Sequence, residues 1–401
     1  MNAMPPVPKF STRTAWDTAE TPLAQSIRER CKAGLPFLDL TASNPTHCGF
    51  AYDEPAILSA LRDPRALHYD PNPRGMRSAR EAVARYYADN NTDNGPVIDP
   101  EHIFLTTSTS EAYSYLFRLL ANAGDEILIA QPSYPLFDFL AQLEDVRLVP
   151  YPLFYDHGWH LDIEALRRCI GPRTRAIALV HPNNPTGHFT KSSERRDLEQ
   201  LCASHGLALI VDEVFLDYAF PGCEQTSFAA GLHPALTFVL SGLSKVSALP
   251  QMKAAWLAAF GPQSALAPSL DRLEIIADTF LAMNAPIQCA LPSWLASRSA
   301  MLNQIRARIS ENLATLDGIL SAQSLITRLD VEAGWYATLR VPALMPDEDL
   351  AIRLVREYGV SVHPGSSFGF ADSGWLVLSL LTPAPDFLIG VRAIAALIGQ
   401  S

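Results

Sequence analysis

Between residues 100 and 260, short apolar runs alternate with amphipathic segments. The runs Ile103–Thr107, Glu126–Ala130, Arg147–Tyr151, Ala176–Val180, Ala208–Asp212, Thr237–Leu240 and Ala254–Ala259 predict strands. Several are almost continuously apolar, the pattern of a strand covered on both faces. The segments between them carry helical spacing and helical punctuation. Glu111–Asn122 stops at Ala123-Gly124, Asp162–Ile170 opens on a capping Asp and stops at Gly171-Pro172, and Ser192–Ser204 ends before Gly206. This alternation predicts an α/β domain with a mainly parallel seven-stranded sheet between helices.

The pattern changes near residue 290. A long helical stretch, roughly Pro292–Ser321, precedes strand candidates Ile326–Val331, Trp335–Val341 and Trp375–Leu381, with a helix over Glu348–Tyr358. This predicts a smaller α+β domain completed by the N-terminal arm. The expected division is 1–45 for the arm and part of the small domain, 46–290 for the large domain and 291–401 for the small one.

Composition narrows the function classes. The chain has 401 residues, of which 48% are hydrophobic and 18% charged, an ordinary globular make-up with room for a large core. A net charge of −11 disfavours general attraction to nucleic acid or to anionic membranes. The first residues lack the basic start and apolar run of a signal peptide, and no apolar stretch is long enough for a membrane helix. The six cysteines are scattered without a C-x-x-C, so neither a metal site nor a disulfide framework is expected. Reduced thiols fit a cytoplasmic protein.

The chemistry-bearing residues cluster where strands end. In open α/β sheets, ligands bind beyond the carboxyl ends of the strands. Ser108-Thr109-Ser110 follows the first strand and opens a helix, as a phosphate cup would. Tyr134 follows the second and can stack on a planar ring. Asn184 lies in the dense turn His181-Pro-Asn-Asn-Pro-Thr-Gly187, where its amide can donate to a phenolate oxygen. Asp212 ends a strand that reads as buried, so its carboxylate calls for a cationic partner such as a protonated pyridine nitrogen. Lys245 follows, among Ser241, Ser244 and Ser247, with Lys253 eight positions on. An amine beside hydroxyls and a second cation suits a phosphorylated aldehyde, and pyridoxal 5'-phosphate is the cofactor with that chemistry. Each residue alone has an ordinary structural alternative: a solvated lysine, an N-cap, a boundary aromatic, a structural ion pair. Their shared sheet edge favours the joint reading.

In these motifs the sequence resembles the class I/II aminotransferases, pyridoxal-phosphate enzymes of fold type I typified by aspartate aminotransferase. The resemblance runs from Asn44-Pro45 through Asn183-Asn-Pro-Thr-Gly187, Asp212-Glu213 and Gly242-Leu-Ser-Lys245 to the loop Val362-His-Pro-Gly-Ser-Ser-Phe-Gly369. It implies that Lys245 forms the Schiff base with the cofactor and shuttles the proton. Asp212 would pair with the pyridine nitrogen, Asn184 would donate to the phenolate oxygen and Tyr134 would stack on the ring. Ser108, Thr109, Ser110, Ser244 and Lys253 would hold the phosphate, with Tyr69 reaching the phosphate of a neighbouring subunit in a homodimer. Asn44 would line the substrate pocket. No metal is implied.

The departures from the family pattern are specific. Phe215 stands where a tyrosine donor to the phenolate is usual, with Tyr218 a possible substitute. Gly242 replaces a phosphate-binding serine, and Lys253 replaces an arginine, which keeps charge but loses the bidentate fork. Val377 stands where an arginine clamps the substrate α-carboxylate. Either Arg74, Arg77, Arg340 or His363 takes over that task, or the substrate is not a standard α-amino acid. The expected activity is therefore transfer of an amino group between an amino acid or amine and an oxo acid. A lyase or decarboxylating enzyme of the same fold is the alternative, and a non-catalytic cofactor-binding protein a further one.

Overall fold

Neighbouring residues along each central strand feed two different cores. Phe104, Ile127, Ile129, Ala176, Ala178, Ile210, Phe238 and Leu257 belong to one. Ile103, Leu105, Leu128, Ile177, Leu179, Leu209, Val211, Val239 and Trp256 belong to the other. Period-two alternation between two apolar layers is what a sheet covered on both faces requires, and it accounts for the unbroken hydrophobic runs. This computed structural model describes residues 9–89, 98–223, 225–322 and 324–399, so the first eight residues of the expected arm, with the leader-free start read from them, lie outside it.

The sheet has eight strands, in the order Ile103–Thr106, Ala255–Phe260, Thr237–Gly242, Ala208–Asp212, Thr174–Val180, Glu126–Gln131, Arg147–Tyr155 and Trp159–Leu161. The central pairings are parallel. Ala255–Phe260 is antiparallel to both of its neighbours. The expected seven strands are all present, and Trp159–Leu161 is an addition. It pairs antiparallel with the end of Arg147–Tyr155 across a tight connection. Three residues are too few for a periodic signal.

The helix Thr109–Leu120 packs with Gln263–Phe280 on the first core. Arg77–Asp89, Ser192–His205 and Ala285–Ala296 contribute to the second. Ser192–His205 ends at Gly206 in the left-handed conformation, as its sequence indicates.

A second sheet of four antiparallel strands contains Thr327–Arg328, Tyr336–Arg340, Trp375–Ser379 and His363–Pro364, in that order. Helices Ser299–Leu320 and Ala384–Gly399 pack on each other beside it. The expected single helix over 292–321 is two helices, broken at Ser297–Arg298, and the first begins at Ala285 and carries Pro292 inside it. Strand 326–331 shrinks to Thr327–Arg328. The N-terminal segment joins this part of the molecule, because Leu38–Asp39 pairs in parallel with Val360–Ser361.

One margin between the two sheets is densely fastened. Glu332 accepts from Phe189 N at 3.0 Å and pairs with Lys191, while Phe220 N donates to its carbonyl oxygen. His188 is buried between Glu194 and Glu332, at 3.2 and 3.6 Å. Gly187, at φ +71°, lies so close to Ala333 that a Cβ there would overlap its backbone. Among the described residues no helix is long and apolar enough to cross a membrane.

Candidate active site

Asp212 is the last residue of its strand and follows the parity of Ile210, which turns it toward the layer containing helix Thr109–Leu120. Tyr113 lies one turn into that helix, and its hydroxyl faces the Asp212 carboxylate without forming a hydrogen bond of ordinary geometry. Asp212 does accept from Val214 N at 3.1 Å. Burial raises its pKa to about 6, against the stabilising backbone N–H, Tyr113 and the charge of Lys245.

Lys245 lies in a single short helical turn, Leu243–Val246, between the antiparallel strands Thr237–Gly242 and Ala255–Phe260. Three side chains hold this turn. Tyr218 donates to the Lys245 carbonyl oxygen at 2.6 Å, Tyr52 to Ala248 O at 2.8 Å, and Ser247 to Trp294 O at 3.2 Å. The amine lies 4.7 Å from the Trp335 ring centroid and 5.7 Å from that of Phe215. Desolvation lowers its pKa to about 8, although Asp212 pulls the other way. Two groups of opposite type are thus shifted toward each other, so that both protonation states of each are accessible near neutral pH.

These two line a cavity of about 230 Å³ together with Ser108, Thr109, Ser110, Tyr134, Asn184 and Ser244. Ser108 caps the helix, accepting from Glu111 N at 3.2 Å, and Glu111 accepts in turn from Thr107 N at 2.6 Å. The cap leaves the Ser108 hydroxyl proton free to donate, and the first N–H groups of a helix have no intrahelical acceptor. Asn184 is buried and its Oδ1 has no partner among the described residues. A helix N-terminus with three hydroxyls, a buried acid, an amine and two unpartnered polar groups fit a phosphorylated pyridine aldehyde.

Lys253, Tyr69 and Asn44 are not in the cavity lining of the single chain, and Tyr69 is the one expected to reach a neighbouring subunit. Lys253 is exposed, in the left-handed region at φ +51°, outside the cavity lining. Tyr69 is 73% exposed on the surface. Asn44 spends its side chain on Thr46, accepting from its N and Oγ1, and its neighbour Ser43 lines the cavity instead. Tyr218 is also no substitute for the phenolate donor, because its hydroxyl is committed to the Lys245 carbonyl.

Gly242 has a steric explanation. Its partner across the antiparallel ladder is Ala255, and a Cβ on Gly242 would stand 2.9 Å from the Ala255 Cβ and 3.1 Å from Ala254 O. A serine does not fit there while Ala255 is opposite.

Tyr113, Ser43, Leu136, Phe137, Phe215 and Tyr336 are also in the wall. Tyr113 was detectable from its spacing, one helical turn beyond Thr109-Ser110. Tyr336 comes from the other sheet and has no local signal. Burial raises its pKa to about 12, against a bond with Ser43. The charged side chains in the lining are Asp212 and Lys245, and no arginine is among the described lining residues. Val377 is fully buried opposite Thr338 and His363. Arg74 is paired with Glu274, and Arg77 with Glu81 and Glu101. Burial pushes the His363 pKa down, favouring the neutral ring. Arg340 lines a different cavity.

The arginine–pyruvate transaminase of Pseudomonas aeruginosa is 28% identical over 96% of each chain. The alanine aminotransferase of Mycobacterium tuberculosis is 30% identical over 88% of this chain and 81% of its own. The solved structure of alanine aminotransferase from Pyrococcus furiosus superposes with a TM-score of 0.87 at 22% identity, covering 98% of this chain and 100% of that one. The family model for aminotransferase class I and II matches residues 37–386. The chain belongs to the class I and II aminotransferases, enzymes that use pyridoxal phosphate to move amino groups.

Proposed function

We propose that the Lys245 cavity is the transamination site, and that its residues divide the work as follows. Lys245 binds the cofactor aldehyde through Nζ and afterwards carries the proton removed from the substrate carbon. Asp212 holds a proton on the pyridine nitrogen through its carboxylate. The cofactor supplies the electron sink for the charge left by that proton. Asn184 donates to the phenolate oxygen and Tyr134 covers the ring. Ser108, Thr109, Ser110 and Ser244 hold the phosphate with the helix N-terminus.

The observation that carries this reading is the convergence of Lys245, lowered to about 8, and Asp212, raised to about 6, in one cavity. A buried carboxylate and a buried amine, each disfavoured in its charged form, are both relieved by a ligand with a cationic ring nitrogen and an aldehyde. Lys253 and Tyr69, outside the lining, remain assigned to phosphate contacts completed on assembly, Tyr69 with a neighbouring subunit. That makes the protein a homodimer, which we place in the cytoplasm, with residues 46–290 binding the cofactor and 291–401 as the small domain.

The test follows the absorbance of the bound cofactor while amino donors are added. Stoichiometric conversion to the pyridoxamine form, with an oxo product, is expected. Release of ammonia or carbon dioxide without that conversion overturns transamination. Covalent cofactor binding by Lys245→Ala overturns the assignment of Lys245.

A further inference from the structure

A larger cavity, of about 500 Å³, lies between the edge of the eight-stranded sheet and the four-stranded sheet. Its walls are aromatic. Phe370 and Trp375 stack at 4.6 Å, and Trp159 lies 6.1 and 6.3 Å from them. Tyr155 meets Trp159 edge-on at 5.4 Å. Arg340 lies over the Trp375 ring at 4.5 Å and donates one bond, from Nη1 to Ser373 O at 2.7 Å. It has no ion-pair partner among the described residues; Asp372, also in the wall, makes none with it. Trp159 is buried with its indole N–H unpartnered. A part-buried guanidinium without an ion-pair partner among the described residues suits a carboxylate, and the rings around it accept an aryl group.

A cleft of about 240 Å³ shares the lining residues Tyr134 and Phe137 with the Lys245 cavity and Gln131 and Gly369 with this one. The strand Tyr336–Arg340 runs along both. Tyr336 lines the Lys245 cavity and Arg340 the aromatic one, and residues 336, 338 and 340 share a face. Four residues of strand separate them by about 13 Å. Val377, opposite Thr338, lies between, while Arg340 is opposite Trp375. The cation on this face is therefore two positions farther from Tyr336 along the strand than the residue opposite Val377.

Resting on the reading of the Lys245 cavity as the amine site, we propose that the amino donor carries its carboxylate at the far end from the amine, joined through an apolar or aryl segment, with Arg340 binding that carboxylate. Specificity is then for a distal acid rather than an α-carboxylate.

The holoenzyme is tested with 4-(ω-aminoalkyl)benzoates of increasing chain length and with the matching ω-aminoalkyltoluenes, which lack the carboxylate. Expected is a preference for the benzoate at an intermediate length of about tenfold to a hundredfold in kcat/KM, carried mainly by KM. The preference collapses toward one in Arg340→Gln and survives in part in Arg340→Lys. In the unaltered enzyme, 4-alkylbenzoates without an amine compete with the donor and alkyltoluenes do not. Equal rates for both series at every length, or a preference untouched by Arg340→Gln, overturns the proposal. Lys245→Ala judges the amine site separately, since its result does not depend on which donor is used.

Discussion

Tyr218 donates its hydroxyl proton to the backbone carbonyl of Lys245, at 2.6 Å. The lysine's side chain is therefore free for chemistry while its main chain is tied to the segment after Asp212. Tyr218→Phe leaves the Lys245 carbonyl oxygen with only the longer bond from Ala248 N, at 3.3 Å. The expected loss is about 0.5–1.5 kcal/mol in urea unfolding of the apoprotein. The pH titration of the bound cofactor's absorbance should not move, because the hydroxyl faces backbone. A shift in that titration would mean that Tyr218 reaches the cofactor after all.

The lowered pKa of Lys245 sets a pH dependence for cofactor uptake. The neutral amine is the nucleophile, and its fraction rises as pH passes through about 8 rather than near the ordinary lysine value of 10.5. The rate of uptake of pyridoxal phosphate by apoprotein should climb between pH 7 and about 9 and level off beyond. A rate still rising above pH 10 would contradict the burial-driven shift.

Glu213 is completely buried, accepting from Ser227 Oγ at 2.7 Å and Phe228 N at 2.5 Å. Burial raises its pKa from 4.5 to about 8. The folded state thus prefers the protonated acid. Its contribution to stability is full below pH 4.5 and is lost as pH rises through about 8. Glu213→Gln presents the same acceptor to Phe228 and a donor to Ser227, as the protonated acid does. Thermal unfolding should show a flatter pH dependence between pH 5 and about 8 in the variant.

Gly242 and Ala255 form a size pair across the ladder. Gly242→Ser alone overpacks this contact and should cost about 1–3 kcal/mol. Adding Ala255→Gly should recover most of that loss. A double-mutant cycle read by urea unfolding gives the coupling directly, and simple additivity would refute the steric account.

The sheet and its ligand-bearing edge were legible because both follow local rules. Buried parallel strands are written as unbroken apolar runs; Asp212 ends one, and Ser108, Asn184 and Lys245 follow shortly after strand ends. What escaped depends on distance. Tyr336 reaches the cavity from a strand 81 residues beyond its last sequence neighbour in the wall, Ala255. Trp159–Leu161 is a strand only because Arg147–Tyr155 offers an edge. Ser43 rather than Asn44 lines the cavity because Asn44 caps its own turn, a local competition that motif matching overlooks. Helix 292–321 read as continuous because Ser297 and Arg298 carry no breaker signal.

The fastening around Glu332 and Gly187 has a mechanical corollary. It ties the turn bearing Asn184 to the four-stranded sheet through an ion pair, backbone bonds and a contact with no space for a side chain. Elsewhere between the same parts, Gln131 donates a side-chain bond to Gly369 O and Ser133 N a backbone bond to Phe368 O. These two neutral bonds make the Gln131–Gly369 contact a weaker seam than the ion-paired and sterically locked one at Glu332 and Gly187.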